Sequence, residues 1–255
     1  MVKRVNVIAG LALGIAGTIG VLFGCGESEA QKMERYIKSM GKEQKPPARD
    51  SYMRLLVAMG NKAVDPLLRH LDGDSDNTIR ANCCLALGQI GDKSAESPIK
   101  KALKDKNAEV RAKAAEGLTV LIKAKAIPDL IEMLKDQHET PRESAQNCLL
   151  KLGDAAVEPL INECLIQSEN PFLRNQGSVI LGRMGRKVVS RLIELLETSN
   201  DSDVQIITAR TLRDIGDKSA LEPIKNAAEK YTGKDEKSTK VRRSLDGAYN
   251  ELIQK

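Results

Sequence analysis

An arginine recurs along this chain at almost constant intervals. Arg49, Arg80, Arg111, Arg142 and Arg174 open successive copies of one phrase, Gln205 opens a sixth and Arg242 a short seventh, at steps of 31, 31, 31, 32, 31 and 37 residues. Self-similarity at such a period means stacked supersecondary units, each too small to bury its own apolar face and each completed by its neighbours. The period therefore decides the architecture. It decides function only in part, because stacks of this kind are surfaces for holding something else.

The register is read by counting from each arginine. Seven positions on stand Leu56, Leu87, Leu118, Leu149, Leu181, Leu212 and Tyr249, and ten positions on stand Met59, Ile90, Leu121, Leu152, Met184, Ile215 and Leu252. With small residues at three and six, such as Cys83, Ala114, Gly117 and Cys148, these make one apolar face at helical spacing. Eleven positions on, Gly60, Gly91, Gly153, Gly185 and Gly216 mark a left-handed helix end; the third unit has Ile122 there.

A second apolar stripe follows at once. Val64, Ala95, Ala126, Val157, Val189 and Ala220 lie at fifteen, and Leu68, Ile99, Leu130, Ile161, Ile193 and Ile224 at nineteen, with Pro66, Pro98, Pro128, Pro159 and Pro223 between them. Proline is tolerated where backbone donors are still free, so its recurrence marks a second helix just starting. Thr140-Pro141 and Asn170-Pro171 signal the heads of two first helices in the same way. Each unit is thus a helix pair, and the expected fold is all-α: a solenoid of about six pairs with capping helices at both ends.

The phrases Val110-Arg111-Ala112-Lys113-Ala114-Ala115-Glu116-Gly117-Leu118 and Ile79-Arg80 through Gly91-Asp92-Lys93-Ser94-Ala95, with Pro98 following, resemble HEAT repeats, nearest the subtype named after phycobilisome lyases. The resemblance covers about residues 48–255, and repetition makes it more specific than any one copy. Departures are local: Ile122 for glycine, Arg191 for proline and Gln205 for arginine. In proteins of this kind the second helices line the concave, partner-holding side.

The register also gives the domain boundaries. Met33, Tyr36, Ile37 and Met40 fall at helical spacing, so 30–47 reads as an N-terminal cap helix and loop, 48–238 as six repeats and 239–255 as a C-terminal cap. The six additional residues of the last step fall at Tyr231–Ser238, an enlarged loop.

The front end carries a different signal. Lys3 and Arg4 precede an apolar, glycine-rich run ending at Leu22-Phe23-Gly24-Cys25. It resembles a bacterial lipoprotein signal, which implies a leader over 1–24, diacylglycerol on the Cys25 thiol, a tether over 25–29 and a protein held by lipid at an extracytoplasmic face of the cell envelope. The other reading is an uncleaved membrane anchor, since the run is long enough to span a bilayer.

Composition narrows the function classes. The formal charge of +5 falls to +3 once Lys3 and Arg4 leave with the leader, and the chain has no tryptophan and only two phenylalanines. Neither a dominant basic face nor stacking platforms for bases are present, so a nucleic-acid partner is not expected. The two histidines, His70 and His138, lack metal-ligand spacing, no phosphate-cradling loop occurs, and neither a metal nor a cofactor is expected. Cys83, Cys148 and Cys164 occupy apolar repeat positions and read as core residues, although Cys148 and Cys164 share one hairpin and a pairing stays open. The repeat arginines read as structural, pairing with turn acids such as Asp92, Asp154 and Asp217.

What remains is a binding surface. Outward positions of the second helices give the candidate partner-binding residues: Arg69 and His70, Lys100, Lys101 and Lys104, Asp129 and Glu132, Glu158 and Asn162, and Arg191. A basic group is followed by a more acidic stretch, and an ordinary solvated face would look similar. The leading expectation is a non-catalytic, lipid-anchored scaffold for a protein partner. The alternatives are a bilin-lyase-like enzyme acting on a tetrapyrrole–protein, implied by the subtype's name, and a purely structural envelope assembly factor.

Overall fold

The computed structural model describes residues 27–42, 46–233 and 235–255. Cys25 and the leader lie outside the described residues. A cap helix α1 (Glu29–Lys42) precedes six antiparallel pairs: α2 (Pro46–Ala58) with α3 (Val64–Gly73), α4 (Asn77–Ile90) with α5 (Glu96–Ala102), and α6 (Ala108–Ile122) with α7 (Ile127–Met133) come first. Then α8 (Glu139–Leu152) pairs with α9 (Val157–Pro159) and its π-helical continuation over Leu160–Ile166, α10 (Pro171–Met184) with α11 (Val189–Thr198), and α12 (Ser202–Ile215) with α13 (Leu221–Glu229). A final helix, α14 (Glu236–Gln254), closes the stack. Among the described residues there is no strand, and no helix is long and apolar enough to cross a membrane.

The arginine register is the core register. Leu56, Leu87, Leu118, Leu149, Leu181 and Leu212 are all completely buried, one per first helix. They form a continuous spine along the stack, where truncating any one to alanine costs about 2–5 kcal/mol. The caps complete it at both ends: Ile37 and Met40 of α1 are buried against α2 and α4, and Val241, Leu245, Ala248 and Leu252 of α14 against α12 and α13. At the enlarged loop, the Tyr231 hydroxyl donates to Gln205 Oε1 at 2.6 Å, which ties the loop to the repeat that lacks its arginine.

First helices start at side-chain caps. Asp76, Asn107, Asn170 and Asp201 each accept a backbone N–H of the opening turn, satisfying donors that have no intrahelical partner. The same position in the fourth unit is His138, which makes no such bond. Pro171 follows Asn170 as the first helical residue, whereas Thr140-Pro141 falls inside the opening turn of α8.

The turns between paired helices come in two kinds, which shifts part of the second-helix register. Gly91 and Gly216 are left-handed (φ 83° and 79°) and are followed by Asp92 and Asp217, whose side chains cap a short 3-10 turn. In the other kind a four-residue 3-10 turn begins on the positive-φ residue itself, as at Gly153 and Gly185. In the first and fifth units, which have this turn, Leu67 and Leu192 are fully buried while Leu68 and Ile193 are only partly so. The third unit corrects the expectation for Ile122. Its helix α6 runs one residue longer, and Lys123 takes the positive φ (51°, with ψ −128°), a backbone region that disfavours any side chain.

The single 32-residue step has a structural counterpart. Between Arg142 and Arg174 the second helix runs as a π-helix over Leu160–Ile166, with Gln167 N–H bonding back to the Asn162 carbonyl at 2.8 Å. A wider turn absorbs the one additional residue while Leu160, Ile161, Cys164 and Leu165 all stay buried.

Candidate partner-binding face

The repeat arginines are structural, but their partners are not the expected turn acids. Arg80 Nε and Nη2 donate to the two carboxylate oxygens of Asp105 at 2.9 Å each, and its Nη1 donates to the Asp74 carbonyl at 2.8 Å. Arg111 repeats the arrangement on Asp136 (2.6 and 2.8 Å) and the Asp105 carbonyl (2.7 Å). Each guanidinium thus pins its own entry loop to the loop of the next unit. Burial pushes the Asp105 and Asp136 carboxyls up, but hydrogen bonds from the arginine and from the Asn107 or His138 backbone N–H prevail and hold both below the ordinary aspartate value. Asp92 instead caps Ser94, Asp154 meets Lys187 at 2.9 Å, and Asp217 caps Ser219 and meets Arg186 at 3.5 Å.

All the candidate residues but Lys104, which stands in the turn after α5, lie on the second helices or their π-helical continuation, and most are paired with a neighbouring side chain. Lys101 meets Asp72 at 2.6 Å, Lys100 meets Asp129 at 3.3 Å and Glu96 at 3.4 Å, and Arg191 meets Glu158 at 2.7 Å. Arg69 reaches Glu34 of the cap helix at 3.5 Å, and Glu132 pairs with Lys135 at 2.5 Å within its own turn. Exposed pairs of this kind contribute little to stability, being screened by solvent. Asn162 is half-buried and shows no side-chain bond among the described residues.

His70 departs from the expectation of an outward residue. Its side chain is only 15% exposed, with Nε2 2.9 Å from Glu34 and Nδ1 2.7 Å from Asp74. Both ring nitrogens are occupied, so it fastens α1 to α3 instead of facing a partner.

Between α3, α5 and the start of α7 lies an open groove of about 1180 Å³. Leu68, Leu71 and Pro98 line it together with Lys100, Lys101, Lys104 and Lys106 and with Asp72, Asp74, Asp105 and Asp129. Lys106 was not singled out in the sequence, because it sits in an inter-repeat loop outside the helical register. Its signal was the short run Lys104-Asp105-Lys106.

The cysteines behave as core residues. Cys83, Cys84, Cys148 and Cys164 are free and buried, with Cys84 and Cys164 pushed up to about 12 by burial. Cys164 packs against Gly177 of the next unit, where a Cβ would lie 2.5 Å from its own. Among the described residues no group of three or more metal-ligating side chains is gathered.

HEAT repeats match the chain over residues 37–118, 64–149, 95–179 and 127–213, together more than half of its length. This chain belongs to the HEAT-repeat family. Comparison with the curated proteins gives no match in sequence. Among solved structures, this HEAT-repeat protein is similar to the complex of CpcE and CpcF of phycocyanin lyase from Nostoc sp. (19% identity, 89% of this chain and 98% of that chain, TM-score 0.42). It is also similar to an archaeal HEAT-like repeats protein from Thermococcus onnurineus (18%, 89% and 100%, TM-score 0.42) and to human deoxyhypusine hydroxylase (17%, 89% and 99%, TM-score 0.33). The family assignment rests on the repeats themselves and not on these three folds.

Proposed function

We propose that this HEAT-repeat protein is a non-catalytic scaffold, anchored through lipid on Cys25 at the bacterial cell envelope, whose second-helix face holds a protein partner. The observation that supports this most is the open groove between α3 and α5. It is lined by both apolar and charged side chains, and exposed ion pairs join neighbouring units beside it. The Leu22-Phe23-Gly24-Cys25 motif supports the anchor, because the cysteine ends the apolar run where an acyl acceptor is needed. Acyl chains at that position tether the scaffold without a spanning helix.

Two measurements test the reading. Cells fed a labelled fatty acid incorporate it into the wild-type chain and not into Cys25→Ser, and the wild-type chain loses residues 1–24; an unlabelled, full-length wild-type chain overturns the anchor. Cross-linking in intact cells captures a partner protein from the second-helix face. A tetrapyrrole co-purifying with the chain would favour the lyase alternative instead.

A further inference from the structure

Resting on the scaffold reading, we infer that the groove between α3 and α5 takes an acidic, amphipathic segment of the partner protein. The charges in the groove divide into two groups. Asp72, Asp105 and Asp129 are each matched by a cation of this chain, namely Lys101, Arg80 and Lys100. Asp74 is bound to His70. Lys104 and Lys106 are exposed, stand on the same groove, and make no ion pair among the described residues. The charged side chains of the groove that have no hydrogen-bonded or ion-paired counterpart among the described residues are therefore both lysines.

The apolar lining adds a second requirement. Leu68 and Pro98, both partly exposed, line the same groove. A ligand that satisfies both has carboxylates on one side and apolar groups on the other, which is an acidic amphipathic helix or strand. A nucleic-acid backbone fits less well. The aspartates at Asp72 and Asp129 stand in the same groove, and no aromatic side chain lines it for a base to stack on.

The test keeps the ion ladder intact. Changing Lys100 or Lys101 would leave Asp129 or Asp72 unmatched, so the variant is Lys104→Glu with Lys106→Glu, which reverses charge at residues that make no ion pair among those described. Full-length protein in detergent is titrated with a fluorescent pool of helical peptides bearing Asp and Glu on one face and Leu on the other. A charge-reversed lysine pool and a thymidine oligonucleotide are titrated in parallel. The acidic pool binds in preference, and the double variant weakens it by at least about tenfold at low salt. No binding of the acidic pool, a preference for the lysine pool or the oligonucleotide, or an unchanged double variant overturns the inference; the variant's helical circular dichroism checks that it is folded.

A photo-cross-linker placed in cells at Ser97, on the rim of the groove, and separately at Val179, exposed on α10, distinguishes the two levels of the proposal. Capture at Ser97 of a net-acidic peptide, lost in the double variant, supports the groove. Capture at Val179 alone leaves the scaffold standing and removes the groove, and capture at neither removes both.

Discussion

The junction between the second and third units and that between the fourth and fifth are made from the same repeated phrase, yet they are held together differently. At the first, α4 and α6 meet backbone to backbone. A Cβ on Gly88 would overlap the Gly117 carbonyl, one on Gly117 would overlap that of Cys84, and the loops on either side are pinned by Arg80–Asp105 and Arg111–Asp136. At the second, α8 and α10 are joined by polar side chains: Gln146 donates to Gln176 at 2.5 Å, and Arg183 reaches Gln146 and Asn147 only at 3.5 and 3.4 Å. The carboxylate that serves Arg80 and Arg111 twenty-five residues on is replaced there by Gln167, and the Arg142 guanidinium lies 5.6 Å from the Phe172 ring. Ile166, Phe172 and Val179 are left exposed beside it. The period of the repeat sets the stacking, while small residues and loop aspartates set how firmly each pair of units is joined.

The largest expected effect exploits two glycines at the same register position. Gly88→Leu forces side-chain atoms into the backbone of α6 and is expected to cost about 3 kcal/mol or more, whereas Gly182→Ala on α10, with nothing within 4 Å of its Cβ, stabilises by about 0.5–1 kcal/mol. Denaturant unfolding of both variants checks this, and equal losses would erase the distinction between the junctions.

Next comes Asp136→Asn, which strands the buried Arg111 and is expected to cost about 3 kcal/mol. The folded carboxyl titrates below its unfolded value, so this stabilisation is complete above the ordinary aspartate pKa of about 4 and lost as pH falls through the lower folded value. An acid titration of wild type and variant should therefore converge below that range. Divergence that persists at low pH would show that the pair is not the source.

A smaller effect sits in the turn that follows α6. Lys123→Gly relieves a positive-φ lysine and raises stability by about 1 kcal/mol; no gain would mean that the turn is unstrained. Smallest is Gln167→Asp, which restores the missing carboxylate for Arg142. It is expected to stabilise the fourth unit by under about 1 kcal/mol, a gain that disappears when Arg142 is changed to Met in the same chain.

Most of the stack was legible in the sequence because one residue type per position repeats with the period. The leucine spine, the cap at Met33–Met40 and the buried cysteines follow from that register alone. The partners of the arginines were not found, since attention within a unit points to Asp92, Asp154 and Asp217. The carboxylates that pair with them are Asp105 and Asp136, one period apart but across the unit boundary. The π-helix had only a one-residue lengthening as its signal. Which charges of the second-helix face are satisfied depends on contacts between units at offsets from 29 to 36 residues, which no local pattern displays. His70 looked free for that reason and is not.

Native-state hydrogen exchange read by mass spectrometry tests the contrast between the junctions most directly. Amides of α4 and α6 are expected to exchange slowest, opening only with the whole stack, while those from Leu160 through α10 open at lower free energy. Uniform protection along the solenoid, or slower exchange in α10 than in α4, would contradict it.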